Sequence, residues 1–175
     1  MNFYEKPLNT LSDKEWEQIC MKCGKCCMCK YSEEKVVHFS NYMCHFFDLK
    51  KGLCSCYNNR LENAEGNCVK VNMDLLEHHL ELLPPSCAYR SLYEGRGLPP
   101  YHPLLTGKPN SAIKAKQTVK SLPVISEDAK ELAIQSLLKD VLQNHLEVSE
   151  IAKRAAEIDK KYALKWLESY PFPSQ

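Results

Sequence analysis

The sequence lacks any apolar run approaching the roughly 18–20 residues that cross a bilayer, which excludes a membrane-spanning helix. It lacks an excess of either charge: 23 basic and 22 acidic residues leave a formal net charge of +1, and no basic stripe is available to neutralise nucleic-acid phosphates. The opening residues, Met-Asn-Phe-Tyr-Glu-Lys-Pro, carry no apolar leader, so the chain is expected to stay in the cytosol. Internal repeats and low-complexity segments are missing. His78-His79 beside Glu77 and Glu81 does not form the HExxH arrangement, which rejects a metalloprotease. Cysteine is absent after Cys87.

Before that point cysteine is abundant. All ten cysteines fall between Cys20 and Cys87, and in a reducing compartment such density points to metal binding or redox chemistry rather than a disulfide scaffold. The 44% hydrophobic content is that of a globular chain, and 175 residues suit one domain with or without a helical extension.

Ser12 followed three residues later by Glu15 has the pattern of a capping box, and predicts a helix over 12–20 with Trp16 and Ile19 on one face. Residues 34–39 have the β-branched content of a strand. Residues 42–68 carry turn chemistry at Lys51-Gly52, Asn58-Asn59 and Gly66-Asn67, and read as irregular or hairpin-like. Asn72 caps a helix over 73–83 that Pro84-Pro85 ends, and Ser86 caps the next, stopped by Gly95. Pro99, Pro100, Pro103 and Pro109 forbid regular helix through 96–110, so Tyr101, Leu104 and Leu105 there need cover; one short strand is expected within 111–125.

Downstream, Ala129, Leu132, Ala133, Leu137, Val141 and Leu142 follow helical spacing, as do Ile151, Ala155, Ile158, Tyr162 and Trp166, with Ser126 and Ser149 as caps. The expected fold is mainly α with irregular metal-stapled loops and at most one or two short β-strands, a small α+β arrangement. Its parts are a cysteine-cluster metal-binding domain over 1–125 and a C-terminal helical hairpin extension over 126–175.

Cys20, Cys23 and Cys26 are separated by two residues each, a spacing that turns neighbouring sulfurs to one side. Gly24 admits a positive φ, which lets backbone N–H groups face the sulfurs. These three thiols wrap one site, and the fourth ligand must come from far along the chain, because zinc and cubane iron–sulfur centres each take about four. Cys26 and Cys27 are adjacent, so their side chains are expected to diverge towards different sites or different edges of one polynuclear site; the plainer alternative makes Cys27 a buried small hydrophobe. The Cys-x-x-Cys-Gly knuckle favours zinc, whereas the triple step favours iron–sulfur without the ferredoxin Cys-Pro. His38, His45 and His102 are near enough to be ligands, although a surface or packed histidine is the simpler reading of each.

The segment Leu11-Ser12-Asp13-Lys14-Glu15-Trp16-Glu17, leading into Cys20-Met21-Lys22-Cys23-Gly24-Lys25-Cys26-Cys27, resembles the YcgN-type cysteine-cluster proteins of the YkgJ-like zinc- or iron-chelating group. A second block carries the same resemblance: Cys87-Ala88-Tyr89-Arg90, Glu94-Gly95-Arg96, Leu98-Pro99 and His102-Pro103-Leu104. The likeness spans roughly 11–125. It implies eight recurring cysteines, here Cys20, Cys23, Cys26, Cys27, Cys44, Cys54, Cys68 and Cys87, enough for two four-thiolate sites or one larger cluster. Cys56 matches a further cysteine and is an alternative ligand; Cys29 falls where relatives carry histidine. The resemblance brings no catalytic residue, substrate or partner.

The reading that needs only the thiols is a cytosolic protein chelating zinc or iron, with the metal largely structural. An iron–sulfur redox protein or oxidoreductase component is the alternative, and a third is an interaction module whose C-terminal helices dock a protein partner or self-associate. Nothing beyond the thiols forms a catalytic constellation, so enzymatic activity stays open. Arg90, Arg96 and His102 form a weak anion-binding candidate beside ordinary ion pairing and loop anchoring, the i,i+4 pair Arg90–Glu94 included.

Overall fold

The computed structural model of the chain describes residues 2–64, 68 and 70–171. The Ser12–Glu15 capping box forms at the start of α1 (Asp13–Ile19): Ser12 accepts from the Glu15 amide, and the Glu15 carboxylate takes the Ser12 amide at 2.9 Å. Those contacts hold the Glu15 carboxyl down at about 2, the Ser12 amide contributing most. Trp16 stacks on Tyr89 with ring centroids 5.0 Å apart, and its indole N–H donates to the Val71 carbonyl at 2.8 Å.

Asn72 caps α3 (Met73–His78) by accepting from the Leu75 amide at 3.0 Å. The helix stops before its expected end at residue 83. Pro84 forces Leu83 into extended backbone, and a 3-10 turn over Leu80–Leu82 makes the transition. α4 (Ala88–Tyr93) is capped by Cys87 rather than Ser86. Ile19, Leu75, Leu76, Leu80, Leu83, Ala88 and Tyr89 close a first core between these helices.

A second core lies under a four-stranded sheet. β1 (Met28–Glu33) pairs antiparallel with the central β2 (Val36–Met43). On its other edge β2 pairs over Val36–Ser40 with antiparallel β6 (Trp166–Pro171), and at Tyr42–Met43 with parallel β5 (Ile125–Ser126). Met28, Val37, Phe39, Met43, Phe47 and Val119 fill this core. β3 (Phe47–Asp48) and β4 (Leu53–Cys54) make a small hairpin around Lys51-Gly52, and α2 (Arg60–Asn63) follows a 3-10 turn over Tyr57–Asn59. The Gly66-Asn67 turn lies outside the described residues.

The α+β class stands, but the described residues hold six strands rather than one or two. The expected strand over 34–39 begins two residues too early: Glu34 and Lys35 have φ of 46° and 64° and form the hairpin turn, without the glycine or asparagine that normally marks one. The proline-rich stretch does contain one helical turn, α5 (Pro103–Thr106). Proline at a first helical position loses no hydrogen bond, and His102 caps that turn. α6 (Ser111–Lys114) follows, and the strand expected within 111–125 is β5, at its very end.

α7 (Ala129–Asn144) and α8 (Val148–Lys161) run antiparallel, tied by Lys130–Asp159 and Arg154–Asp140 pairs at 2.7 Å each. Their N-caps are Asp128 and Glu147 rather than Ser126 and Ser149. Trp166 belongs to β6, not to the α8 face: the chain leaves the helix at Tyr162 and returns to the sheet. Among the described residues no helix is long and apolar enough to cross a membrane.

Candidate metal centre

α1 hands the chain at its C-cap, Cys20, to two tight steps. Lys22 has φ 55° in the first, Gly24 has φ 78° in the second, and a 3-10 turn over Lys25–Cys27 completes the loop. A Cβ on Gly24 would lie 2.7 Å from Phe47 Cζ and 2.8 Å from Val119 Cγ2, so glycine is required by both conformation and space. The Val119 amide donates to the Cys23 carbonyl at 2.9 Å, and Lys25 is buried against Glu168 at 2.6 Å.

Cys87 closes on this loop from the Pro84-Pro85 turn, its amide donating to the Pro84 carbonyl at 2.8 Å. Four thiols therefore share one neighbourhood. Burial pushes Cys20 up to about 11, with the Cys26 sulfur adding to the shift, and pushes Cys87 up to about 12, with Cys26 and Cys20 adding. Cys23 is raised by burial and then by Cys26, Cys87 and Cys20.

A second set of sulfurs gathers beside the β3–β4 hairpin. Cys54 and Cys56 Sγ atoms are 3.7 Å apart. Burial raises Cys44 most, and Cys68 and Cys56 raise it further; Cys54 is raised by burial and also feels Cys56 and Cys44. Cys27 joins this set through Cys44, whose amide donates to the Cys27 carbonyl at 3.0 Å.

Cys26 and Cys27 fall in different sets but touch each other. The 3-10 turn places their sulfurs in hydrogen-bond contact, which lowers Cys26 and raises Cys27. The contact joins the two sets. Cys20, Cys23, Cys26 and Cys87 lie on one side of it; Cys27, Cys44, Cys54, Cys56 and Cys68 lie on the other.

The sulfurs share a local geometry. The backbone N–H groups of Lys22, Lys25, Phe46, Cys56 and Tyr89 each favour the anionic form of the cysteine two residues earlier: Cys20, Cys23, Cys44, Cys54 and Cys87. Partial burial makes these thiols resist ionisation, yet the amide beside each favours the thiolate. A soft or borderline cation resolves that conflict by replacing the protons, so the donor set fits a thiolate-bound metal.

The remaining candidates lie elsewhere. His38 Nδ1 is 2.8 Å from Ser169 Oγ, and the ring stacks on Trp166 in the sheet. His102 is 1% exposed, and both ring nitrogens are engaged: one lies 2.8 Å from the Ile19 carbonyl, the other accepts from the Leu104 amide at 3.1 Å. Arg90 donates to Glu94 at 2.9 Å and to the Leu83 carbonyl at 2.7 Å; Arg96 donates to Glu94 and to the Pro85 carbonyl at 2.8 Å. In the fold Arg90 and Arg96 anchor a loop through Glu94, and His102 is a core histidine whose pKa is lowered by burial.

Glu127 was not visible as a site residue in the sequence. Its amide donates to the Met43 carbonyl at 2.9 Å, beside the β2–β5 pairing, and this carries its carboxylate onto His45 Nδ1 at 2.5 Å and Cys29 Sγ at 3.1 Å. Cys44, His45 and Glu127 offer ligand atoms within 4.8 Å of one another, the only such trio among the described residues.

These features define a small α+β protein with two adjoining sets of thiols. It is 42% identical over 117 residues to a UPF0260 protein of Shewanella pealeana, a match covering 66% of this chain and 79% of the relative. A UPF0260 protein of Haemophilus influenzae is 38% identical over 126 residues (69% of this chain, 80% of the relative), and one of Vibrio vulnificus 37% over 129 (72% and 87%). The chain belongs to the UPF0260 family. That finding replaces the YcgN-type, YkgJ-like assignment, because the relatives carry the UPF0260 name. No protein-family model matches the chain, and no solved structure matches it.

Proposed function

We propose that the protein is a cytosolic metal-binding protein whose clustered thiolates chelate zinc or iron, the metal serving mainly to staple irregular loops. Cys20, Cys23, Cys26 and Cys87 would hold one site. Cys27, Cys44, Cys68 and either Cys54 or Cys56 would hold the other. The observation that carries this reading is the repeated approach of a backbone N–H to the partly buried thiol two residues before it, at Cys20, Cys23, Cys44, Cys54 and Cys87. Bound metal would supply a shared positive centre for these sulfurs, and apparent binding energies of about 10–16 kcal/mol are available from structural zinc in small domains.

A second reading, an iron–sulfur centre, draws on the triple Cys-x-x-Cys step of Cys20, Cys23 and Cys26, with Cys87 as the distant fourth ligand.

Anaerobic purification followed by elemental analysis and acid-labile sulfide determination tests both readings. Brown protein containing iron and sulfide supports the cluster, and colourless zinc-loaded protein supports the simpler structural site. Full-length protein without stoichiometric metal, retaining its circular dichroism and protease resistance under strong chelation, defeats the proposal.

A further inference from the structure

The group at the β2–β5 junction differs in kind from the thiolate sets. Cys29, Cys44, His45 and Glu127 offer two sulfurs, one imidazole and one carboxylate. Glu127 accepts from His45 Nδ1 at 2.5 Å, from the His45 amide at 3.1 Å and from the Cys29 thiol at 3.1 Å. Three protons thus point at one carboxylate, two of them on groups that bind metals once deprotonated. The backbone fixes the arrangement: Met43 pairs with Ser126 in the sheet, and the next residue on each strand-end is Cys44 on one side and Glu127 on the other. The site opens to solvent, the His45 and Glu127 side chains being 47% and 37% exposed.

We propose that Cys44, His45 and Glu127 form a mixed-donor site for a borderline divalent cation such as zinc, with the Cys29 thiol held against the carboxylate at its edge, distinct in ligand chemistry from the all-thiolate sets and exchangeable where they are not. Thiolate, imidazole and carboxylate are each zinc ligands, and three protein ligands with an open fourth position are the usual form of an accessible site. Binding displaces the Cys44 thiol proton and leaves the imidazole neutral, so one thiolate and one carboxylate balance the two charges of zinc. Solvent access and the carboxylate ligand make exchange faster than at buried sulfurs. Because Cys44 also belongs to the second thiolate set, the site lies against it, and an ion held here stands one ligand away from that set. This last step rests on the thiolate reading; the mixed site itself does not.

The test uses full-length protein, first exposed to mild chelator under anaerobic conditions and then titrated with cobalt(II) alone as a spectroscopic probe. Wild type is expected to take up one chelator-labile equivalent with thiolate-to-cobalt charge-transfer absorption and tetrahedral d–d bands. Glu127→Gln and His45→Gln should weaken that uptake at least tenfold while leaving retained metal and circular dichroism unchanged. Cys29→Ser, which removes a proton donor to Glu127 but no ligand, should leave the charge-transfer band in place. Unchanged uptake in both Glu127→Gln and His45→Gln overturns the proposal. Failure of the thiolate reading shows separately, as wild type with no retained metal that still binds the labile equivalent in a Glu127-dependent way.

Discussion

Replacing Gly24 by alanine separates two demands on the cysteine loop. Gly24 and Gly95 have nearly the same backbone, φ 78° and 73°, but differ in surroundings: a Cβ at Gly95 meets nothing within 4 Å, whereas at Gly24 it lies 2.7 Å from Phe47 Cζ and 2.8 Å from Val119 Cγ2. Neither neighbour can retreat easily, since Phe47 is 6% and Val119 2% exposed within the second core. Gly95→Ala carries only the left-handed backbone cost, about 1–2 kcal/mol. Gly24→Ala adds overpacking of about 1–3 kcal/mol, for a total of about 2–5. Urea unfolding of both variants, with metal retained and followed by circular dichroism, reads the difference. Val119→Ala in the Gly24→Ala background removes one clashing methyl, so the pair should be less damaging than the sum of the single changes. Equal destabilisation of Gly24→Ala and Gly95→Ala, to within about 0.5 kcal/mol, refutes the claim that packing as well as conformation fixes this glycine.

Three further outcomes are expected. Lys25 and Glu168 have side chains only 8% and 16% exposed at 2.6 Å, so Glu168→Gln should cost about 3 kcal/mol in urea unfolding by leaving a buried ammonium unpaired. Lys25→Met with Glu168→Leu should recover most of that, and a double variant as weak as the single one counts against the pair. Burial lowers the His102 pKa below its ordinary 6.5: the unfolded chain takes a proton near 6.5 that the folded chain refuses, so stability falls as pH drops below that value and levels off past the folded one. His102→Gln should flatten that decline in unfolding midpoints between pH 7 and 5, and an unaltered slope would sink the assignment. Cys23→Ser should release metal and loosen the cysteine region, whereas Cys29→Ser should leave the tightly held metal in place; equal losses by elemental analysis mean the sulfurs have been grouped wrongly.

Local chemistry was legible wherever a single residue type decides the outcome. Ser12 with Glu15, Asn72, the Lys51-Gly52 hairpin and the positive φ of Gly24 are all formed as their side chains dictate. Features decided by distant partners were not. The hairpin turn at Glu34-Lys35 has two residues in left-handed backbone without glycine, and it is stabilised by register: Glu33 pairs with Val36, and β2 is held on its far edge by β6. Trp166 fits a helical period by spacing alone, but its partner is Ser40, in a pairing that no periodicity encodes. Glu127 is one acidic residue among 22 until the parallel Met43–Ser126 pairing sets it beside His45. The thiols were visible as candidates; their division into two sets depended on the Lys25–Cys27 turn, which brings adjacent sulfurs together where alternation would part them.

That turn also explains why a thiolate array sits at this place in the fold. Cys20 and Cys87 pack against the first core and Cys27 against the second, so the chain passes from one core to the other through Lys25–Cys27. Each core is small, and the passage between them has little apolar surface with which to bind its two sides. The Lys25–Glu168 pair fastens the passage from the C-terminal strand, because Glu168 is set by its pairing with Phe39 at the centre of the sheet. Under the proposed function, metal at the two sulfur sets would fasten the same passage from within, each set held by ligands that border a different core. Losing metal would then uncouple the two cores before it dissolved either, since Ile19, Leu76 and Leu83 on one side and Val37, Phe39 and Met43 on the other keep their own contacts without a cysteine among them.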